Sequence, residues 1–297
     1  MKSIRAPYLL FVFAIAFNLF SCVPQKQVTS SKKELSSINT QLGDNTNTLQ
    51  NLNAIRNNKE TQNEIDDTAN ARIKKFIDKT NTEIDTLIKN NTILIGETVV
   101  DKGDWERLQS TLSFSSNSAK RINDKIVFLN DLINHNMVVK LDQDVLFEPG
   151  KYSVYPALVE TISKLFEPAA REIDLFTKKY PDFPLSLVIT SKGYADATAI
   201  SEGSQLYRDL KERLSMSTKN PDSKELNKEL SKARAEAVRN LFKKFADSRS
   251  DNQIFSSKVL HLWEGKGESL PDPKVTDYKV NDPRRRVVLL FWSVFPD

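Results

Sequence analysis

Histidine, cysteine and glycine are all scarce in this chain. Its 297 residues include 2 His, 1 Cys and 8 Gly. Thiolate and imidazole metal cages need several of the first two residue types, so the sequence predicts no metal site and no cofactor. So few glycines also leave little material for the loops that cradle phosphate groups.

Charge of one sign is not concentrated either. The chain has 43 Lys and Arg against 39 Asp and Glu, a formal net charge of +4. Nucleic-acid binders carry a concentrated basic face, so this balance predicts no nucleic-acid partner. Hydrophobic residues make up 39% and charged residues 28% of the chain, which is typical of a protein that folds.

A short apolar run lies near the amino end, over residues 8–20, after two basic residues. It is shorter than the ~20 residues needed to cross a bilayer, and the arrangement is typical of a secretory signal. The next residues, Leu19-Phe20-Ser21-Cys22, resemble a bacterial lipobox, whose cysteine is acylated and begins the mature protein. The resemblance implies a signal peptide over residues 1–21 and a lipid anchor at Cys22. The alternative is an uncleaved N-terminal anchor helix.

Three helical stretches follow a polar segment. Residues 22–31 are rich in Gln, Lys, Ser and Thr, which predicts a flexible tether. Residues 32–136 carry apolar positions three and four apart, which predicts a coiled coil or a helical bundle. A single helix with so thin an apolar stripe cannot bury enough surface alone. The helices must therefore pair within the chain or with a second copy in a homo-oligomer. The segment acts as a spacer in one interpretation and as a membrane-proximal bundle in the other.

The pattern changes near Met137, where short β-like runs alternate with helices. Strands are predicted at 138–141, 145–147, 185–190, 258–263 and 286–292, and helices at 158–176 and 226–245. Strands and helices interleaved in one compact region predict an α+β fold.

Several motifs occur in one order along this region. They are Val145-Leu146-Phe147-Glu148-Pro149-Gly150, Gly193-Tyr194-Ala195-Asp196, Asn227-Lys228-Glu229-Leu230-Ser231-Lys232-Ala233-Arg234-Ala235, Gly265-Lys266-Gly267-Glu268-Ser269-Leu270-Pro271 and Asp282-Pro283-Arg284-Arg285-Arg286-Val287. Together they resemble the C-terminal domain of the OmpA/MotB family, and the third matches that family's Asn-x-x-Leu-Ser-x-x-Arg-Ala helix start. The resemblance implies an OmpA-like β-α-β-α-β sandwich over residues 137–297 that binds peptidoglycan.

The resemblance also implies which residues bind. Asp196 and Arg234 would clamp the diaminopimelate of the peptidoglycan stem peptide, with Asn227 and Ser231 supporting the helix or lining the site. Diaminopimelate offers an ammonium and a carboxylate, and Arg presents two parallel donors to a carboxylate. Arg234 is expected in the first turns of its helix, where free backbone amides add donors. The alternative is that Asp196 and Arg234 pair with each other or are solvated.

The chain departs from the family in two places beside this site. Tyr194 and Ala195 replace a His-Thr pair, and Ala199 stands where the family has glycine. Residues 197–225 are longer than is usual, with an extra helix predicted at 205–215 and a loop through 220–222. This insertion borders the expected cleft, so it could shield the cleft, add contacts to it, or block it.

The predicted function is an envelope lipoprotein that binds peptidoglycan non-covalently and tethers the outer membrane to the wall. Val23 after the cysteine resembles outer-membrane sorting, so the protein is expected to be lipid-anchored in the outer membrane, facing the periplasm. The alternative is a structural subunit of a motility or secretion complex with a degenerate OmpA-like domain. No residue set for a wall hydrolase is recognisable, so the chain is not expected to be an enzyme.

Overall fold

The computed structural model describes residues 24–214, 220–248 and 259–296. Its α-helices are α1 Gln25–Thr61, α2 Asp67–Gly96, α3 Lys102–Asn134, α4 Gln143–Leu146, α5 Val159–Lys179, α6 Gln205–Arg213 and α7 Ser223–Asp247. Its strands are β1 Met137–Asp142, β2 Leu185–Gly193, β3 Val259–Gly265 and β4 Val287–Pro296. The predicted α+β class, with a helical segment before a sheet domain, is confirmed. None of the described helices is long and apolar enough to cross a membrane.

The described residues form two compact units. Residues 24–51 and 77–127 make the first, called here the helical unit. Residues 52–76 and 128–296 make the second, called here the sheet unit. The end of α1, the start of α2 and the end of α3 therefore belong to the same compact unit as the sheet.

The helical unit is a bundle of α1, α2 and α3, joined across every pair of helices by polar side chains. Asn91 of α2 donates to Asn39 of α1 at 2.9 Å and accepts from Ser115 of α3 at 2.6 Å. Gln109 of α3 donates to Ser31 of α1 at 2.8 Å. The apolar stripe of α1 is buried as its spacing predicts, as are those of α2 and α3. The stripes are thus covered within one chain.

Most of the predicted tether is helical, because α1 already begins at Gln25. Val28 and Ser31 are buried and continue the three-and-four spacing that leads to Leu35 and Ile38. Polar composition concealed this extra turn of the heptad pattern. The flexible-tether prediction is therefore wrong for residues 25–31.

The sheet has the strand order β1-β4-β2-β3, in which β4 pairs antiparallel with both β1 and β2. Strand β3 lies parallel to β2 at the edge. On one face, Trp292 of β4 packs against Phe242 of α7 and Phe166 of α5, with ring centroids 4.5 and 6.0 Å apart. On the other face, Val287, Leu289 and Phe291 form a second buried cluster with Tyr194. Burial on both faces explains why β4 reads as the most apolar segment.

The second face of the sheet is approached by residues that the sequence assigned to the helical spacer. Asn63, in the turn between α1 and α2, donates to the Tyr194 hydroxyl at 2.8 Å. Asp67 forms an ion pair with the buried Lys192 of β2 at 3.0 Å. Arg72 lies over the ring of Phe295. These contacts explain why residues 52–76 belong to the sheet unit.

Residues 145–147, predicted as a strand, are not one. Asp142 accepts from the backbone of Asp144 at 2.9 Å and thereby caps the short helix α4. Only Phe147 bridges to another segment, at Val154. An Asp side chain that bonds its own backbone competes with a strand ladder, which accounts for the difference.

Candidate functional site

A cavity of about 590 Å³ opens in the sheet unit. Its charged and polar lining comes from residues that lie far apart in the sequence, namely Asp144, Glu148, Asp196, Thr198, Ser201, Ser204, Asn227, Arg234 and Arg286. Its other lining residues are Phe147, Pro149, Gly150, Ala195, Ala199, Ile200, Leu206 and Leu230. The volume is typical of small-molecule sites, and the lining includes three of the four residues predicted to bind.

Close backbone packing brings these segments together. A Cβ atom added to Gly193 of β2 would meet the Ser231 carbonyl of α7, with its carbon only 2.8 Å away. One added to Gly265 of β3 would lie 2.7 Å from the Lys232 backbone nitrogen. Glycine at both positions lets α7 lie directly on the ends of β2 and β3. The residue three positions after Gly193 and the middle of α7 therefore face the same cavity.

Asp196 follows β2 and is 7% exposed. Its carboxylate accepts from Arg286 at 2.8 Å through one oxygen and from the backbone nitrogen of Thr198 at 3.2 Å through the other. The partner of Asp196 is therefore Arg286, and the alternative of an Asp196–Arg234 ion pair does not describe this structure.

Arg234 is equally buried and has a different set of partners. Its Nη1 donates to the side-chain oxygen of Gln143 at 2.6 Å, and its Nε donates to the Lys151 carbonyl at 3.1 Å. Its guanidinium carbon lies 5.3 Å from the centre of the Phe147 ring. Both of these hydrogen-bond acceptors are neutral. A cation held only by neutral acceptors keeps much of its capacity to bind an anion.

The pKa of Arg234 reflects this environment. This pKa is lowered to about 10, mainly by burial and also by the nearby charge of Arg286, while the carboxylates of Asp144 and Asp196 oppose these effects. Arg234 thus remains charged at neutral pH, but its charged form lacks a full counter-charge. An anionic group in the cavity would relieve that deficit.

The expectation that Arg234 lies in the first turns of its helix is wrong. Helix α7 begins at Ser223, so Arg234 lies three turns inside it. At the start of α7, Asp222 and Glu225 form a capping box, in which each side chain accepts from the backbone nitrogen of the other residue.

The two supporting residues differ in position. Asn227 lines the cavity and donates to the Thr198 carbonyl at 3.2 Å and to the carboxylate of Glu268 at 2.9 Å. Ser231 is fully buried and is absent from the cavity lining. Its hydroxyl accepts from the backbone of Gly267 at 2.9 Å. Ser231 holds a loop against α7, and Asn227 holds the first turn of the insertion.

The sequence did not single out Arg286, Asp144 or Gln143 as residues of the site. Arg286 joins two carboxylates, since it donates to Asp144 at 2.9 Å and to Asp196 at 2.8 Å. These hydrogen bonds, above all the one to Asp144, raise the pKa of Arg286 above its ordinary value. Gln143 is buried and donates to the carbonyls of Tyr194 and Val287, both at 2.8 Å. It thereby presents its oxygen to Arg234. Of these residues, only Arg286 lies in a motif that the sequence analysis noted, so only its role could have been anticipated from the sequence.

The departure at Tyr194 has a structural explanation. Its ring is part of the buried cluster on the second sheet face, and its hydroxyl accepts from Asn63. Burial raises the pKa of Tyr194 to about 12, so the phenol stays protonated at any physiological pH. The tyrosine serves contacts with residues 52–76 and is absent from the cavity lining.

The insertion forms part of the cavity lining and does not fill the cavity. Six of its residues line the space: Thr198, Ala199, Ile200, Ser201, Ser204 and Leu206. The predicted extra helix is present as α6, capped by Ser204, whose hydroxyl accepts from Tyr207 at 3.0 Å. Of the three roles considered for the insertion, the geometry fits added contacts.

Other candidate groups lie elsewhere. Cys22 lies outside the described residues. Within the described part of the chain, no group of three His, Cys, Asp or Glu side chains is placed to hold a metal ion. His261 lies in β3, as predicted, and packs 5.7 Å from the ring of Phe242. Burial lowers the pKa of His261 below its ordinary value.

Comparisons with known proteins give a limited result. No protein-family model and no curated protein sequence matches this chain. Among solved structures it is similar to the periplasmic domain of Helicobacter pylori MotB, residues 97–256, with a TM-score of 0.30 and 16% identity over 54% of this chain and 83% of that one. Structures of residues 78–256 and 90–256 of the same protein give TM-scores of 0.29 and 0.28, with 16% and 17% identity over 53% of this chain and 76% and 74% of theirs. Similarity of this degree assigns no function, so the chemistry of the cavity has to supply one.

Proposed function

We propose that the cavity of the sheet unit binds the diaminopimelate residue of a peptidoglycan stem peptide. The observation that carries the proposal is Arg234, a buried cation that lines an open cavity and whose hydrogen bonds, among the described residues, go to neutral acceptors. A ligand carboxylate would supply the missing counter-charge through charge-assisted hydrogen bonds to the guanidinium.

The carboxylates of the cavity would bind the ammonium group of diaminopimelate. Asp196 is already engaged by Arg286, but Arg286 also has Asp144, so three charged side chains share one net negative charge. Glu148 adds a further carboxylate to the lining. A ligand that ends in both an ammonium and a carboxylate matches one negative cluster beside one isolated cation.

At the level of the whole chain, we propose an envelope lipoprotein that is anchored through Cys22 in the outer membrane and holds the wall from the periplasmic side. The lipobox-like sequence and the cavity support this proposal from opposite ends of the chain. In this role the protein binds a ligand and catalyses no reaction.

One observation favours a second candidate, a structural subunit of an envelope complex that has lost ligand binding. The ion pair between Arg286 and Asp196 occupies the acid that the family motif provides for the ligand. If that pair does not open, Asp196 cannot bind the ammonium of the ligand, and the partner of the cavity would be another protein.

Co-sedimentation of the purified full-length protein with insoluble peptidoglycan sacculi tests the proposal. The full chain is needed because Asn63, Asp67 and Arg72 contact the sheet domain and would be lost in a fragment starting at residue 137. We expect Arg234→Met to weaken binding by about 10- to 100-fold, as for the loss of a charge-assisted hydrogen bond of about 1.5–3 kcal/mol. Arg234→Lys should recover little, because an ammonium cannot reproduce the fork geometry.

Arg239→Met is the matched control, since Arg239 lies on the same helix but stacks 4.0 Å over Trp263, away from the cavity lining. It should sediment like the wild type. Free diaminopimelate should release the bound wild-type protein, whereas lysine, which lacks the second carboxylate at its far end, should release less. Folded wild-type protein that stays in the supernatant would exclude wall binding and leave the structural-subunit candidate.

A further inference from the structure

Arg286 holds two carboxylates of the cavity unequally. Its Nε donates to both oxygens of Asp144, at 2.9 and 3.0 Å, and its Nη2 donates to one of them at 2.5 Å. Asp196 receives one hydrogen bond from this side chain, from Nη1 at 2.8 Å. A guanidinium that is forked onto one carboxylate is anchored there. Arg286 is thus anchored on Asp144 and reaches Asp196 with its remaining nitrogen.

The contact between Arg286 and Asp196 can open while both residues stay in place. Asp196 also accepts from the backbone nitrogen of Thr198 at 3.2 Å, which holds its carboxylate independently of Arg286. The backbone carbonyl of Arg286 accepts from Gln143 at 3.0 Å, and its side chain is 30% exposed to solvent. A small turn of the guanidinium about Asp144 would therefore release Asp196 alone.

A ligand ammonium has to compete with Arg286 for Asp196, because both are cations that need the same carboxylate. While Arg286 is in contact, it neutralises the acid and repels a second cation. Asp144 makes an exchange possible, since Arg286 keeps a counter-charge there after it leaves Asp196. Without Asp144, the exchange would leave a partly buried guanidinium without either of these acids, which is costly.

We propose that Arg286 competes with the ligand for Asp196, and that Asp144 retains Arg286 when the ligand ammonium arrives. This proposal rests on the proposed function of the cavity. It makes Arg286 an internal competitor that lowers the affinity of the site and selects ligands whose ammonium can displace it. Arg234 takes no part in the exchange, because its own hydrogen bonds go to neutral acceptors.

Substitutions of Arg286 and Asp144 should change the affinity in opposite directions, whereas loss of a purely structural ion pair would weaken binding from either side. Isothermal titration calorimetry of the full-length protein with a soluble stem tripeptide ending in diaminopimelate measures this. Arg286→Gln frees Asp196, so it should bind about fivefold more tightly, as for the loss of a competing ion pair of about 1 kcal/mol. Asp144→Asn confines Arg286 to Asp196, so it should bind about fivefold more weakly.

The double variant Asp144→Asn with Arg286→Gln separates competition from the simple loss of an acid. Removal of Arg286 in the Asp144→Asn background should restore binding at least to the wild-type level, because the competitor is gone. Arg284→Gln is the matched control. Arg284 lies two residues before Arg286, pairs with Asp277 and Asp282, and is absent from the cavity lining. Its substitution should leave the affinity unchanged.

The wild-type protein offers a further test that does not depend on the folding of a variant. NMR spectra of nitrogen-labelled arginine side chains report on the Nε and Nη groups of Arg286 separately. Saturation with the tripeptide should shift the Nη signals, because Nη1 leaves Asp196. The Nε signal should stay in place, because Nε remains bonded to Asp144.

The proposed function and the competition fail differently. Folded Arg286→Gln that binds no more tightly than the wild type overturns the competition while wall binding stands. A double variant as weak as Asp144→Asn, or Nη signals unchanged at saturation, does the same. Failure of the folded wild type to bind the tripeptide overturns the proposed function together with the competition.

Discussion

The helical unit and the sheet unit both bury polar side chains, but they use them differently. In the helical unit, Asn91 gives its amide to Asn39 and its oxygen to Ser115, so these three side chains satisfy one another. In the sheet unit, Arg234 is buried beside an open cavity with neutral acceptors only. A closed polar network fixes the register of helices, whereas an incomplete one beside a cavity is prepared for a ligand.

Substitution of one glycine in each unit should give the largest difference between the two units in the free energy of unfolding. Gly193→Ala places a methyl group against the Ser231 carbonyl, and we expect it to lower the free energy of unfolding by about 3 kcal/mol. Gly43 lies within α1 with no atom near its missing side chain. Gly43→Ala should therefore raise the free energy of unfolding by about 0.5–1 kcal/mol. Urea unfolding measures both, and equal effects of the two changes would contradict the close approach of α7 to β2.

Loss of a buried amide should distinguish a positioning role from a purely structural one. Gln143→Leu leaves two backbone carbonyls and Arg234 without their partner. It should therefore lower the free energy of unfolding by about 2 kcal/mol and weaken binding to sacculi by about tenfold. Asn91→Leu in the helical unit orphans Ser115 and should cost a similar free energy. Its binding to sacculi should match the wild type. Reduced binding by both variants in proportion to their instability would remove the distinction.

The smallest effect concerns a charge in the sheet unit that lies away from the cavity. Asp131 accepts from Lys179 and from the Tyr180 hydroxyl, each at 2.5 Å. The hydrogen bond from Lys179, and then that from Tyr180, lowers the pKa of Asp131 below its ordinary value of 3.8. Its contribution to stability is therefore present above pH 3.8 and is lost as the pH falls through the lower, folded-state value.

Asp131→Asn should lower the free energy of unfolding by about 1 kcal/mol at pH 7 and by less at pH 3. Wall binding at pH 7 should be unchanged. Thermal unfolding at both pH values checks this. A cost that is the same at pH 3 and pH 7 would show that the charge of Asp131 contributes nothing.

Local pattern was enough to predict most of the elements. The stripes of α1 to α3, the strands β2 and β4 and the helix that carries Arg234 all follow from spacing and from turn residues. The errors arose where a polar side chain changed the local preference. Asp142 caps a helix where a strand was expected, and Ser31 occupies a heptad position that composition disguised.

The site was predictable only in part, for a different reason. Motifs identified Asp196, Arg234 and Asn227, which do line one cavity. The contacts that decide their chemistry join residues about 90 positions apart, such as Gln143 with Arg234 and Asp196 with Arg286. No periodicity records such a contact. The sequence therefore indicated which residues belong to the site but not which of them pair.

The position of β4 has a consequence for how the domain is made. Strands β1 and β2 do not pair with each other, because β4 lies between them and pairs with both. A chain that emerges from its amino end must therefore hold β1, and the edge of β2 that β4 will cover, unpaired until residues 287–296 arrive. Such non-local pairing makes folding slow and exposes strand edges meanwhile. Chaperone protection during synthesis or export should matter more for this domain than its size suggests.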